Sequence, residues 1–578
     1  MKKQYSLVIR GGDIADGLGG ELRRADIAIS GDRIAAVGKV DGQGVEEIDA
    51  RGLLVTPGFI DPHTHLDFQM TFADRATPCS WQGVTTAVMG NCGVGFAPCL
   101  PEHRQTLIGL MEGVEDIPSA VMTQGLPWNW QSFPQFIDAL AARRYDIDLI
   151  TQIPHSPLRV AVMGERGVRR ETATDADLNE MRRLVTEAVR AGAFGVSSSR
   201  SRGHIDVKGQ PVPSFEADEE ELTAIALGLT DAGQGWMQII PDFADLKLEF
   251  AMLRRIVKAS RRPMTLTVMQ LVTKPDEWRK VLKLVGEANA AGQRMLPQVI
   301  PRATGVLLGF EVSQNPFMAR PSYAAIAHLP LDERMKILRD PAFRTKLLSE
   351  TMPFNPSDAE DLGLRIAKWD RLFPLNEPLD YEPDVQSSVA ALAQRAGVPP
   401  DAIAYDHLMQ HDGRALLYRP FSNYGYGNLE PVREMLADPN SIIGLGDTGA
   451  HLRGLCDASS ITFMITHWTR DRSRGERFPL GWAVKRLTRD TAAALGLNDR
   501  GVLATGYKAD INVIDYQALK IRRPEVLYDL PGGAGRLVQR ADGYVATIVS
   551  GVPVYRNGEE TGELPGRVVR GMQAAPAH

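Results

Sequence analysis

From about residue 58 to residue 447 the chain alternates short apolar, β-prone runs with stretches of helical periodicity. The first run leads from Leu53-Leu54-Val55 into His63 and His65. The others are Val84 to Cys92, Asp148 to His155, Ala193 to Ser199, Gln234 to Ile240, Pro263 to Gln270, Arg294 to Ile300 and Ser441 to Asp447. Between them the apolar positions recur every three or four residues. In Thr174 to Ala191, Leu178, Met181, Val185 and Ala188 share one face, Thr174 caps the start and Gly192 closes the end. Eight strands with intervening helices predict an α/β fold, a (β/α)₈ TIM-type barrel whose chemistry sits at the C-terminal ends of its strands.

Both ends of the chain read differently. Residues 5 to 57 alternate strands with Gly-Asp turns, and so do residues from about 509 to 555. The expected division is 1–57 and 499–578 as two parts of one small β-sandwich domain, with residues 58–498 as the barrel. A frayed tail is expected after about Gly566. The stretch from about 303 to 440 is too long for one helix and is expected to be a large insertion before the last barrel strand.

Composition narrows the class. Of 578 residues 44% are apolar and 24% charged, and the net charge is -6. That balance suits a large buried core and gives no general basic face for nucleic acid or anionic membrane. Four scattered cysteines make no disulfide framework, and no run approaches a membrane span or a signal h-region. The expectation is a cytoplasmic enzyme of small molecules, with a homo-oligomer left open.

The candidate chemistry lies at three strand ends. His63 and His65, two residues apart on a strand, point to one face and can meet one metal ion. Gly90-Asn91-Cys92-Gly93 ends the second strand, and Gly446-Asp447-Thr448-Gly449-Ala450-His451 ends the eighth. In a barrel the first and eighth strands are neighbours, so Asp447 is expected beside the histidines, as ligand and as the base that takes a proton from water. Cys92 can add a thiolate. The bland alternatives are a buried inert thiol and a turn carboxylate.

These motifs, with His155-Ser156-Pro157-Leu158-Arg159 and Gly506-Tyr507-Lys508-Ala509-Asp510, resemble the amidohydrolase superfamily, and within it the N-acyl-D-amino-acid deacylase (D-aminoacylase) branch. The resemblance implies a metal-dependent barrel hydrolase in which Cys92 takes a place that many relatives give to a carboxylated lysine. No lysine lies between Lys39 and Lys208, in agreement. The family pattern also has ligand histidines on strands five and six, and this chain has none between His204 and His328. One zinc or similar divalent ion, held by His63, His65, Cys92 and Asp447, is therefore expected rather than two.

Around that centre the sequence offers His155, Arg159, Arg200 and Arg302 as substrate-binding candidates, because arginine forks suit carboxylates. The resemblance favours Arg159. His451 is expected to orient Asp447. The function so read is hydrolysis of a non-peptide amide bond, as in deacylation of an N-acyl-(D-)amino acid, with Asp447 as general base and acid. The alternatives are a hydrolase of a cyclic amide, imide or lactone, and a catalytically inactive binding protein of the same fold.

Overall fold

The computed structural model describes residues 4–350 and 368–577. Its centre is an eight-stranded parallel sheet of β1 (Phe59–Asp61), β2 (Val84–Met89), β3 (Asp148–Pro154), β4 (Gly195–Ser199), β5 (Trp236–Ile240), β6 (Met264–Thr267), β7 (Met295–Val299) and β8 (Ile442–Ile443). The strands pair in sequence order. The ring is drawn shut beyond β1 and β8, where Asp447 N–H donates to the His63 carbonyl (3.1 Å) and His65 N–H to the Thr448 carbonyl (2.8 Å). Apolar strand residues such as Val88, Ile150, Val196 and Ile239 are buried because helices cover the ring. The (β/α)₈ architecture expected from the alternation is present.

Four helices matter for the site: α1 (Arg104–Glu115), α2 (His155–Met163), α3 (Asp175–Ala191) and α4 (Glu219–Ala232). α3 starts on the Thr174–Asp177 capping box and stops at Gly192. Met181, Val185 and Ala188 are buried as the periodicity requires, while Leu178 is half-buried beside α4 at the surface.

Strands of both chain ends share one nine-stranded sheet. Leu54–Pro57 lies between Gln4–Ile14 and Ile511–Ile514, and so joins the first residues of the chain to the last strands. This places the sheet immediately before β1. At the N-terminal end of the barrel Asp148 of β3 receives Arg500 (2.7 Å) and Lys508 (3.0 Å), and Lys508 also bonds Asp510 (2.7 Å), all buried.

The tail differs from the expectation. After Gly566 it runs along β3: Leu149 N–H donates to the Arg567 carbonyl (2.9 Å) and Val569 N–H to the Leu149 carbonyl (2.8 Å). Val568 and Val569 are buried there, and that burial keeps the segment in place.

Between β7 and β8 the chain builds a three-stranded sheet (Gly305–Leu308, Leu417–Pro420, Phe373–Pro374) with its own apolar cluster around Phe310, Tyr323 and Tyr405. Its residues 422–428, rich in glycine and tyrosine, are stitched to the barrel rim. Asn423 N–H donates to the Gln270 carbonyl (2.8 Å), and Gly425 N–H to Gln270 Oε1 (2.7 Å).

Candidate metal centre

Three loops at the C-terminal ends of β1, β2 and β8 bring the site together. His63, His65 and Cys92 offer ligand atoms that all lie within 4.8 Å of one another, and all three residues are buried. His63 Nε2 is 3.1 Å from Cys92 Sγ, and His65 Nε2 is 3.5 Å from it. Asp447 Oδ1 stands 3.5 Å from His63 Nε2 and 3.9 Å from His65 Nε2.

The backbone that aims these groups is unusual. Cys92 (φ 58°), Asp447 (φ 44°) and His451 (φ 48°) are all left-handed, a region that non-glycine residues enter at some cost. Each is pinned by its own N–H. Cys92 donates to Gln238 Oε1 (2.9 Å), Asp447 to the His63 carbonyl (3.1 Å) and His451 to the Glu115 carbonyl (2.5 Å). Gly446 has to be glycine, because a Cβ there would meet Asp61 Oδ2 at 2.0 Å.

Burial drives every donor toward its neutral form. It lowers His63 to about 4, and takes His65 well below the ordinary imidazole value, with the His63 charge adding to the effect. It raises the Cys92 thiol well above its usual range, with Glu115 and Asp447 adding to the shift. Asp447 is likewise raised, first by burial and then by Asp457 and Asp61, although its side chain is 24% exposed. Among the described residues Asp447 Oδ1 has no hydrogen-bond partner despite lying against two imidazoles. Two neutral imidazoles, a thiol that becomes thiolate, and an unpartnered carboxylate oxygen form a donor set suited to zinc. A divalent cation among them would draw the thiol and the carboxyl to their charged forms and keep the imidazoles neutral.

The expected substrate groups all have partners within the protein. Arg159, on α2, is buried, and its Nη1 lies 2.9 Å from a Glu221 carboxylate oxygen; Nη2 donates to the Glu171 carbonyl. His155 uses both ring nitrogens, Nδ1 with Ser198 Oγ (2.9 Å) and Nε2 with Glu221 Oε1 (2.8 Å). Arg302 bonds Asp457 (2.6 Å), Ser459 and the Cys456 carbonyl, and Arg200 bonds Glu249 (2.7 Å) and the Ala217 carbonyl. These groups tie the barrel's loops to its helices, and their forks are engaged inside the protein. His451 faces Glu115 (Nε2 to Oε2, 3.9 Å), and among the described residues no hydrogen bond joins it to the Asp447 carboxylate.

Three site neighbours were not singled out from sequence. Glu115, buried at the end of α1, lies 3.2 Å from His65 Nδ1. His204, after β4, hydrogen-bonds Ser199 Oγ (2.9 Å) and is lowered to about 3 by burial, with the His451 and His63 charges contributing. Gln298 of β7 bonds His63. The one available signal was for Gln298: a polar side chain in an apolar strand, at the end where barrel chemistry sits.

Comparison with known proteins agrees with this geometry. A family model described as "Amidohydrolase family" matches residues 46–555. The N-acyl-D-aspartate deacylase of Alcaligenes xylosoxydans xylosoxydans is 28% identical over 99% of this chain and 96% of its own length. The D-aminoacylase of the same organism is 27% identical over 98% and 97%. Among solved structures, a D-aminoacylase described as having a binuclear metal center superposes with a TM-score of 0.65 at 23% identity, covering 98% of this chain and all of its own. The N-acyl-D-glutamate deacylase of Bordetella bronchiseptica, complexed with zinc and a phosphonate mimic of the tetrahedral intermediate, gives 0.64 at 21% identity with the same coverage. The family match spans all three strand-end motifs and most of the chain, so this protein belongs to the amidohydrolase family.

Proposed function

We propose that the chain hydrolyses the amide bond of an N-acyl amino acid, with one divalent ion, preferably zinc, held by His63, His65 and Cys92 and faced by Asp447. The observation that carries this reading is the unpartnered Asp447 Oδ1 set against the two imidazoles of a buried three-donor cluster. When bound, the ion supplies Lewis acidity, which makes water more acidic and an amide carbonyl more electrophilic.

The chain's own groups do the rest. Asp447, the most exposed of the four, takes a proton from the attacking water as its oxygen bonds to the carbonyl carbon. Asp447 then returns that proton to the nitrogen as the C–N bond breaks, so that an acid and an amine leave. His63 and His65 remain neutral throughout, as their depressed basicity requires.

A single ion is favoured because the end of β5 is already committed: Gln238 Oε1 accepts the Cys92 N–H. The substrate class rests on full-length likeness to the N-acyl-D-aspartate deacylase and the D-aminoacylase. A panel of N-acyl-D- and N-acyl-L-amino acids, assayed with zinc present, tests it. Turnover is expected on the D series, and turnover of cyclic imides alone would overturn the substrate assignment.

A further inference from the structure

His63 is held from behind by a side chain outside the two-histidine motif. Gln298 sits at the C-terminal end of β7, in register with Thr267 of β6 and Ile442 of β8. Its Oε1 accepts from His63 Nδ1–H at 2.6 Å, and its Nε2 donates to Thr265 Oγ1 at 3.1 Å. The Thr265 hydroxyl takes the amide nitrogen and leaves the amide oxygen for the ring, and an amide oxygen only accepts. An imidazole that donates from Nδ1 keeps its lone pair on Nε2. Nε2 is the atom aimed at Cys92 Sγ and Asp447 Oδ1. Gln298 is 1% exposed and His63 fully buried, so bulk water does not compete for either bond.

The two histidines are supported differently. His65 Nδ1 faces the Glu115 carboxylate at 3.2 Å without a hydrogen bond, whereas His63 is bonded to a neutral amide. Asp61, Asp67, Glu115 and Asp447 already surround the cluster with buried or partly buried carboxyl groups.

We propose that Gln298 is a positioning residue for the metal centre: it fixes the His63 tautomer and the aim of Nε2 without adding a further negative charge. This rests on the reading of His63 as a metal ligand. Partners behind metal-ligating histidines typically contribute about 10- to 100-fold to metal affinity.

The test uses the full chain as wild type, Gln298→Leu, Gln298→Glu and Thr265→Val. Each is titrated with Co(II) in competition with a chromophoric chelator, and the visible Co(II) bands and thermal melt are recorded. Wild-type protein that binds no Co(II) overturns the metal-centre reading itself. Given wild-type binding, Gln298→Leu is expected to weaken it about 10- to 100-fold and to shift the Co(II) bands. Gln298→Glu, which offers the same acceptor, is expected to restore wild-type affinity or better. Thr265→Val, which removes the amide's second anchor, should weaken binding by less. A folded Gln298→Leu with wild-type affinity and spectrum, or a Gln298→Glu as weak as Gln298→Leu, would overturn the proposal. If Gln298→Leu does not fold, Thr265→Val and Gln298→Glu decide: unchanged affinity and spectrum in Thr265→Val would count against it.

Discussion

Asp447 Oδ1 lies 3.5 Å from His63 Nε2, yet the two residues come from opposite ends of the barrel sequence. What joins them is ring closure, since Asp447 N–H bonds the His63 carbonyl. The loop that carries the carboxylate is therefore tied to β1 by the closure of the ring. Asp447→Asn keeps that backbone bond and the side-chain shape, and removes the basic oxygen. Steady-state kinetics should show kcat lowered about 10²- to 10⁴-fold, with circular dichroism and melting close to wild type. Unchanged turnover would remove Asp447 from the mechanism.

Cys92 makes metal binding depend on pH. In the metal-free protein burial holds its thiol proton on well above the usual thiol range. Binding must expel that proton, so apparent affinity should rise with pH. Zinc competition titrations between pH 6 and 8 are expected to show this slope in wild type and a shallower one in Cys92→Ala, together with weaker binding. Equal slopes in the two proteins would mean that Cys92 does not bind the ion.

Arg159 illustrates what sequence left hidden. It stands after a strand end where an exposed fork could meet a substrate carboxylate, but it points into α4 and pairs with Glu221. Removing one partner of a buried pair typically costs about 3–5 kcal/mol. Arg159→Ala should therefore lower the melting temperature strongly while leaving KM of the surviving folded enzyme near wild type. A large KM increase with unchanged stability would return Arg159 to the substrate.

The barrel strands, the capped helix α3 and the strand-end motifs were legible because each is a local pattern: apolar runs, a 3.6-residue period, a Thr–Asp box. The partners of Arg159, His155 and Arg302 were not, because they are acids far along the chain, such as Glu221 and Asp457. Glu115 had no sequence signal at all. It ends an ordinary amphipathic helix, and only packing brings it to His65. The tail misled because Val568 and Val569 are few in number, although the first residues of β3, before its pairing with β4 begins at Gln152, leave backbone groups for them to follow.

Asp148 clamps the C-terminal strands to the barrel. Arg500 and Lys508 hold its carboxyl below the ordinary range, against the opposing effect of burial. A carboxylate lowered in the folded state stabilises fully above its unfolded value, near 4, and that stability is lost as pH falls through the folded value. Wild type should therefore lose stability steeply below about pH 4. Asp148→Asn should be less stable at neutral pH, since two buried cations each lose one of their partners, and should show a shallower acid limb. Melting curves from pH 3 to 7 on both proteins check this, and parallel curves would contradict it.

The most direct test of the whole account is the metal content of protein purified without added metal or chelator, read beside its activity on N-acyl-D-amino acids. The account predicts about one zinc-like ion per chain, with turnover lost on chelation and restored by zinc. Turnover that persists in metal-free protein would contradict it.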